Sequence, residues 1–136
     1  MKRFVQLYRV LGWIPVLGWA SLIYWLSSQS EPVDPGIWLP PFADKIIHMI
    51  LFGVLAWLIY PFIRIIGYST FFAACAALTL SSMYGIIDEL HQSSIPNRYM
   101  DVYDWVADTA GAATVFWLKA RESQLNTLIC RLLSKS

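Results

Sequence analysis

Four stretches of the chain are mostly apolar and long enough to cross a lipid bilayer. A transmembrane helix needs about 20 mostly apolar residues, and the four stretches cover approximately residues 8–26, 44–61, 68–90 and 101–118. More polar or proline-rich segments separate them, and no stretch repeats another. The pattern predicts an all-α integral membrane protein with four transmembrane helices in one domain covering residues 1–136.

The segment after the fourth stretch is too polar to cross a membrane but has an apolar face. Its apolar residues recur at intervals of three and four, at Leu125, Leu128, Ile129, Leu132 and Leu133. This spacing predicts an amphipathic helix over residues 121–134, lying on the cytoplasmic membrane surface. The alternative interpretation is a helix that binds a partner protein through the same face.

The composition supports a membrane protein. Of the 136 residues, 57% are hydrophobic and 14% are charged, and the mean hydropathy is +0.52. Soluble domains average about 25% charged residues. The net charge of +1 and the lack of a basic stripe give no indication of nucleic-acid binding. The basic residues before the first stretch resemble those of a signal peptide, but that stretch is too long and lacks a clear cleavage site, so we expect an uncleaved first span.

The basic residues set the expected orientation. Cytoplasmic loops of membrane proteins carry an excess of lysine and arginine. When the N-terminus is placed in the cytoplasm, only Lys45 and Arg98 of the ten basic residues fall on the outer side. Both termini are therefore predicted to be cytoplasmic. Eight of the nine acidic residues then lie toward the outer face, and only Glu122 lies on the inner side.

One region breaks the apolar pattern, where the third stretch ends and the fourth begins. Between residues 84 and 108 it holds Tyr84, Asp88, Glu89, His91, Gln92, Arg98, Asp101, Asp104 and Asp108. A charge near the centre of a membrane helix costs about 2.5–3.5 kcal/mol on insertion scales. Such residues have to face one another rather than lipid, and they form a functional-site hypothesis. Asp44 and His48, one helical turn apart in the second stretch, are expected to join them.

The carboxylate and imidazole groups of this region fit two kinds of chemistry. A divalent cation would suit them, since carboxylates bind Mg, Ca or Mn and imidazole binds Zn. The candidate metal ligands are His48, Asp88, Asp101 and Asp104. For acid–base chemistry the candidate catalytic residues are Asp44, His48, Asp88 and Glu89. No established catalytic motif is present, so the sequence leaves open whether the protein is an enzyme.

The other polar residues are candidates for substrate binding: Tyr84, Gln92, Arg98 and Asp108. Arg98 would hold a phosphate or a carboxylate through its planar guanidinium group. Several carboxylates beside one arginine repel a phosphate unless a cation or protons intervene. Of these two alternatives we favour a divalent cation in a site for a phosphate-bearing ligand, although the sequence does not identify a cofactor.

Several of these residues also have structural interpretations. Asp44 would cap the second helix, and Asp101 with Asp104 would cap the fourth. Glu89 would be a solvated residue at a helix end, and Arg98 would only balance the acids around it. Three residues within the apolar stretches need partners whatever their role: His48, Asp88 and Asp108.

Three groups of these residues resemble the motifs of the VanZ-like family of bacterial membrane proteins. The motifs are Asp44-Lys45-x-x-His48-x-x-x-Phe52, Asp88-Glu89-x-x-Gln92-x-x-x-Pro96-x-Arg98 and Asp101-x-x-Asp104-x-x-x-Asp108-x-x-Gly111. The resemblance covers nearly all of the chain up to Leu118. It departs from the family at Asp108, where asparagine is expected more often, so a role that needs an amide at this position is not carried over.

The resemblance implies a protein of the bacterial cell envelope, and the orientation above gives a multi-pass protein of the cytoplasmic membrane with an extracytoplasmic active face. The founding member of the family is associated with resistance to glycopeptide antibiotics such as teicoplanin. We expect membrane lipids as partners, and a site that binds an anionic or phosphate-bearing envelope lipid or a glycopeptide antibiotic, with or without chemical transformation. The alternative is a non-enzymatic protein whose polar cluster locks the helix bundle or binds an antibiotic or a partner protein.

Overall fold

The computed structural model describes residues 11–30, 40 and 42–133, with residues 127–129 and 131–133 described through their backbone only. The described residues form four α-helices and no strand. They are α1 (Trp13–Ser27), α2 (Ala43–Ile65), α3 (Thr70–Gln92) and α4 (Val102–Leu133). The prediction of an all-helical fold is confirmed. The start of the predicted first span and the side chains of the tail stripe beyond Leu125 lie outside the described part.

Two of the helices are long and apolar enough to cross a membrane. They are α2 and α3, with 23 residues each, which corresponds to roughly 34 Å at 1.5 Å per residue. The hydrocarbon core of a bilayer is about 30 Å thick. The described part of α1 is apolar but has only 15 residues, and the first turns of α4 contain Asp104 and Asp108. The four-span arrangement therefore stays a prediction.

The outer surfaces of α2 and α3 are apolar. Large hydrophobic side chains are exposed along both helices: Ile46, Ile47, Met49, Ile50, Trp57, Phe71, Phe72, Leu80, Met83, Ile86, Ile87 and Leu90. Monomeric soluble proteins rarely expose large contiguous apolar patches. Contact with lipid tails accounts for this surface, because there an exposed leucine or isoleucine has no cost.

The helix starts agree only in part with the capping interpretations. Asp101 caps α4, since its Oδ1 accepts a hydrogen bond from the Tyr103 backbone N–H at 2.8 Å. Asp44 does not cap α2. Phe42 occupies the N-cap position without a side-chain hydrogen bond, and Asp44 lies in the first turn, where a negative charge still interacts favourably with the helix dipole.

Two helices extend beyond the predicted boundaries. α2 does not end at Pro61 but continues to Ile65, because the buried side chains of Phe62 and Ile63 hold the last turn although proline removes one backbone donor. The tail does not form a separate helix over residues 121–134. α4 continues unbroken from Val102 to Leu133, since no glycine or proline interrupts it between the fourth apolar stretch and the tail.

Small residues bring the backbones of α2 and α4 into contact. A methyl group on Gly111 would overlap the carbonyl group of Met49, and one on Gly53 would lie 3.2 Å from the carbonyl oxygen of Gly111. The core beside this crossing consists of buried side chains from all four helices, including Ile23, Phe52, Leu55, Ala56, Ile59, Ala73, Ala77, Ala112 and Val115. The close crossing places Lys45 and His48 opposite the start of α4.

Polar side chains within the bundle bind backbone carbonyls of neighbouring helices. Ser81 Oγ donates to the Phe52 carbonyl at 2.9 Å, and Trp19 Nε1 donates to the Leu51 carbonyl at 2.8 Å. Both of these donors are satisfied in this way, as burial requires. These bonds fix α1, α2 and α3 relative to one another beneath the polar end of the bundle.

Candidate functional site

Lys45 lies between three carboxylates at the rim of the site. Its Nζ is 2.5 Å from Asp101 Oδ2, 2.6 Å from Asp104 Oδ1 and 3.1 Å from Asp44 Oδ2. Asp101 precedes α4, and its hydrogen bonds with Lys45 and the Tyr103 N–H hold its pKa below the ordinary value. Asp101 and Asp104, proposed from the sequence as metal ligands, thus have Lys45 as their cationic partner. Asp44 is more than half exposed at this rim.

His48 and Asp108 form a pair deeper in the bundle. His48 Nδ1 lies 2.9 Å from Asp108 Oδ1, and the Asp108 side chain is fully buried. Gly85 on α3 makes room for this carboxylate, because a Cβ atom there would lie 2.7 Å from Asp108 Oδ2. Among the described residues, Oδ2 has no hydrogen-bond partner. Within the described structure, His48 is thus the hydrogen-bond partner of the Asp108 side chain.

His48 also belongs to a second group with Asp88 and Glu89. One nitrogen of His48 and one carboxylate oxygen of each acid lie within 4.8 Å of one another. Glu89 is 2% exposed, so its interpretation as a solvated residue is wrong. Its Oε2 accepts a hydrogen bond from the Asp101 backbone N–H at 2.7 Å, whereas Oε1 is buried without a partner in the described structure.

Arg98 reaches this group through Gln92. Arg98 Nη2 donates to Gln92 Oε1 at 2.7 Å, and Gln92 Nε2 donates to Asp88 Oδ2 at 2.9 Å. Asn97 turns the chain between α3 and α4 with a left-handed φ of 63°. Within the described part of the chain, no carboxylate lies within ion-pair distance of Arg98. The structure therefore does not favour the interpretation that Arg98 only balances the negative charge of nearby acidic residues.

Two further residues of the polar region are engaged in helix packing. Tyr84, a candidate for substrate binding, donates its hydroxyl proton to the Ala20 carbonyl of α1 at 2.8 Å. His91 stacks on Tyr24 and lies 2.9 Å from Ser28 Oγ. Both side chains connect α3 to α1.

A small cavity adjoins Glu89. Its volume is about 120 Å³, and its walls are Ile86, Glu89, Met100, Val102 and Trp105. The cavity lies between the end of α3 and the start of α4. Glu89 is the acidic residue in an otherwise hydrophobic wall, so its side chain borders both the polar group and an apolar space.

Sequence reasoning missed two residues that shape the site. Lys45 was noted as part of a motif, but its bridging role was not foreseen. Its position three residues before His48 places both on one side of α2 and would have indicated a role. Gly85 gave a weaker signal, a glycine three residues before Asp88 within a helix, where glycine costs about 1 kcal/mol relative to alanine.

The arrangement is suited to holding a cation. Asp88, Glu89 and Asp108 are all at most 3% exposed, and two of their oxygens have no partner among the described residues. Native proteins rarely leave buried polar atoms unpaired without a bound ion, a water or a functional reason. Imidazole and carboxylate together are ligands for divalent metals.

Comparison with known proteins yields one match. The family model described as VanZ/LLP1 matches residues 4–121. No curated protein and no solved structure matches the chain. Two membrane-capable helices and this match together indicate a membrane protein. Because the match covers most of the chain, this protein belongs to the VanZ/LLP1 family.

Proposed function

We propose that this protein spans a bacterial cytoplasmic membrane several times and binds the phosphate-bearing headgroup of an anionic envelope lipid at an extracytoplasmic site, through a divalent cation. One observation carries the proposal. Among the described residues, the buried Glu89 has no partner for its Oε1, and it lies beside His48 and Asp88 with the three potential ligand atoms within 4.8 Å of one another. A bound cation would satisfy this oxygen and offset the excess of buried carboxylates.

The phosphate is the ligand that Arg98 favours. The guanidinium group has five N–H donors, and one nitrogen donates to Gln92. The remaining donors suit the bidentate geometry of a phosphate. Gln92 connects Arg98 to Asp88, so a phosphate oxygen bound to the cation would lie near the guanidinium group.

The lipid is favoured over a soluble phosphate by the surroundings of the site. The polar group lies at one end of helices whose outer surfaces are apolar, and Glu89 also borders a cavity with an otherwise apolar wall. The excess of basic residues on the opposite side predicts that this end is extracytoplasmic. Binding of an envelope lipid also agrees with the glycopeptide resistance associated with the founding member of the family.

Native mass spectrometry of the protein, extracted gently from its own membrane, tests the proposal. We expect a retained phospholipid together with a metal ion in the wild type. Asp88→Ala should lose both, whereas Arg98→Gln should keep the metal and lose most of the lipid. Glu122→Gln, an exposed acid at the opposite end, is the control and should behave as the wild type.

The proposal is wrong if the wild type carries no lipid, or if Asp88→Ala retains lipid and metal at wild-type occupancy. Thermal unfolding of each variant separates a lost ligand from a lost fold. A variant with the wild-type melting temperature and no adduct has lost binding alone.

A second candidate function is a non-enzymatic protein in which the polar cluster locks the helices together and leaves an outer surface for an antibiotic or a partner protein. The contacts of Lys45 with Asp101 and Asp104 favour it, because they join α2 to the start of α4 without any ligand. In that case Asp88→Ala would lower the folding yield, since it strands buried partners, and the wild type would show a bare mass.

A further inference from the structure

We infer that the cation is a transition-metal ion of the zinc class, held by His48 Nε2, Asp88 and Glu89, and that Asp108 is a positioning residue that orients His48. The inference rests on the proposed cation site and names its ion and ligands. Mg²⁺ and Ca²⁺ prefer sites made of oxygen alone, whereas an imidazole ligand directs a site toward Zn²⁺ and its neighbours.

The Asp108 contact decides which nitrogen of His48 is available. His48 Nδ1 lies 2.9 Å from Asp108 Oδ1, and a carboxylate accepts a proton donor there, so the Nδ1 position carries the proton. Nε2 then has its lone pair free for a metal. Metal-binding histidines almost always donate their other N–H to a carboxylate or carbonyl, which fixes the ring and increases its basicity.

The two acidic ligands are supported in the same way. Asp88 Oδ2 accepts a hydrogen bond from Gln92 at 2.9 Å, and Glu89 Oε2 accepts one from the Asp101 backbone N–H at 2.7 Å. In each residue one oxygen is thus held by the protein, and Glu89 Oε1, which has no partner among the described residues, is left for an ion. Metal ligands in proteins are typically held in place by such additional hydrogen bonds.

The ligand atoms are close enough to form a three-ligand site once small side-chain rotations bring them to the ion. Oxygen and nitrogen ligands bind zinc at about 2.0–2.2 Å, so in tetrahedral geometry they lie roughly 3.4 Å apart. The atoms of His48, Asp88 and Glu89 lie within 4.8 Å, and side-chain rotation draws them together. Three protein ligands leave a fourth position open, which a phosphate oxygen of the lipid would fill.

Gly85 keeps Asp108 in place without touching the ion. A Cβ atom at position 85 would lie 2.7 Å from Asp108 Oδ2 and 3.2 Å from its Cβ atom. Replacing Gly85 with alanine therefore displaces the Asp108 carboxylate while leaving the three ligands unchanged in chemistry. This gives a second, independent route to test the role of Asp108.

The test is Zn²⁺ binding to the full-length protein in lipid-free detergent micelles after removal of metals with a chelator. Competition against a chromophoric chelator gives the affinity, and elemental analysis gives the stoichiometry. We expect one Zn²⁺ per chain in the wild type. His48→Ala, Asp88→Ala and Glu89→Ala should lose it, and Glu122→Gln should bind as the wild type does.

Asp108→Asn and Gly85→Ala should both retain one site and bind Zn²⁺ about 10–100-fold more weakly, the usual effect of changing an outer partner of a ligand. The Co²⁺ form of the wild type should show visible absorption bands of a low-coordinate site with a nitrogen ligand. His48→Ala should abolish these bands. If His48 had only a structural role, its replacement would leave the bands unchanged.

Three outcomes overturn the inference: Mg²⁺ or Ca²⁺ binding in preference to Zn²⁺, wild-type Zn²⁺ affinity in both Asp108→Asn and Gly85→Ala, or a Co²⁺ spectrum independent of His48. If both variants are too unstable to measure, the Co²⁺ spectrum of the wild type and His48→Ala decides. Lipid retention without Zn²⁺ binding would overturn this inference alone, and Zn²⁺ binding without lipid retention would overturn only the lipid proposal.

Discussion

Lys45 Nζ on α2 lies 2.6 Å from Asp104 Oδ1 on α4, and this contact joins the two helices at the end of the bundle that holds the candidate site. The Lys45 side chain is 28% exposed and that of Asp104 is 11% exposed. The pair is therefore partly withdrawn from water, so the attraction is stronger than at an open surface. It holds the start of α4 over His48.

Lys45→Gln is expected to lower the free energy of unfolding by about 1–3 kcal/mol. Removing one partner of a fully buried pair costs about 3–5 kcal/mol, and the partial exposure of Lys45 reduces that figure. Thermal unfolding in detergent measures the change. Glu122→Gln is the control, since Glu122 is 57% exposed and pairs with Lys119 at the surface, and such pairs contribute about 0.3–0.5 kcal/mol. Equal losses in the two variants would contradict the bridging role.

Gly111→Ala is expected to destabilise the protein by about 1–3 kcal/mol or more, the usual range for overpacking, because the added methyl group overlaps the Met49 carbonyl group. Gly18→Ala on α1 is the control, since no atom lies within 4 Å of the added Cβ position. There we expect a gain of up to about 1 kcal/mol from helix propensity. Melting temperatures of the two variants test this, and an unchanged value for Gly111→Ala would show that α2 and α4 cross elsewhere.

Asp101 predicts a dependence of stability on acid pH. Its pKa is lowered from the ordinary value of 3.8, chiefly by Lys45. A lowered pKa in the folded state means that the carboxylate stabilises the fold above pH 3.8, and that this contribution is lost as the pH falls through the lowered pKa. Asp101→Asn keeps a good N-cap residue but should flatten the fall in unfolding free energy in this window. If the unfolding free energies of the wild type and the variant changed with pH in parallel, the Asp101 carboxylate would not contribute to stability in this way.

The orientation can be measured by cysteine labelling in intact cells, with Cys75 and Cys130 replaced by serine. Tyr99→Cys, at a residue that is 85% exposed between α3 and α4, should react with a membrane-impermeant maleimide added outside. Ile66→Cys, between α2 and α3, should react only after the membrane is opened. The reverse pattern would place the candidate site in the cytoplasm and contradict the predicted orientation.

The helices were largely predictable from the sequence, because long apolar runs between polar segments specify them directly. The cap at Asp101 was also predictable from local chemistry. The continuation of α2 past Pro61 was not, since buried contacts of Phe62 and Ile63 outweigh the local effect of proline. Similarly, the sequence placed a boundary inside α4, where polarity changes but the backbone has no reason to break.

The members of the candidate site were predicted better than their partners. His48, Asp88 and Glu89 were candidates because an ionisable side chain within an apolar stretch is costly unless it has a partner or a function. Which groups pair depends on where α2 and α4 cross. Gly53 and Gly111 determine that crossing, and because they are far apart in the sequence, local sequence patterns do not reveal it. For this reason the contacts of Lys45 and the burial of Glu89 became evident only in the folded chain.

The unbroken course of α4 has a mechanical consequence. Its 32 residues correspond to a rod of roughly 48 Å at 1.5 Å per residue, which exceeds the hydrocarbon thickness of about 30 Å. Asp104 and Asp108 lie in its first two turns. In the predicted four-span topology its far end would project into the cytoplasm, and a small tilt at the outer end would displace that end by a larger distance.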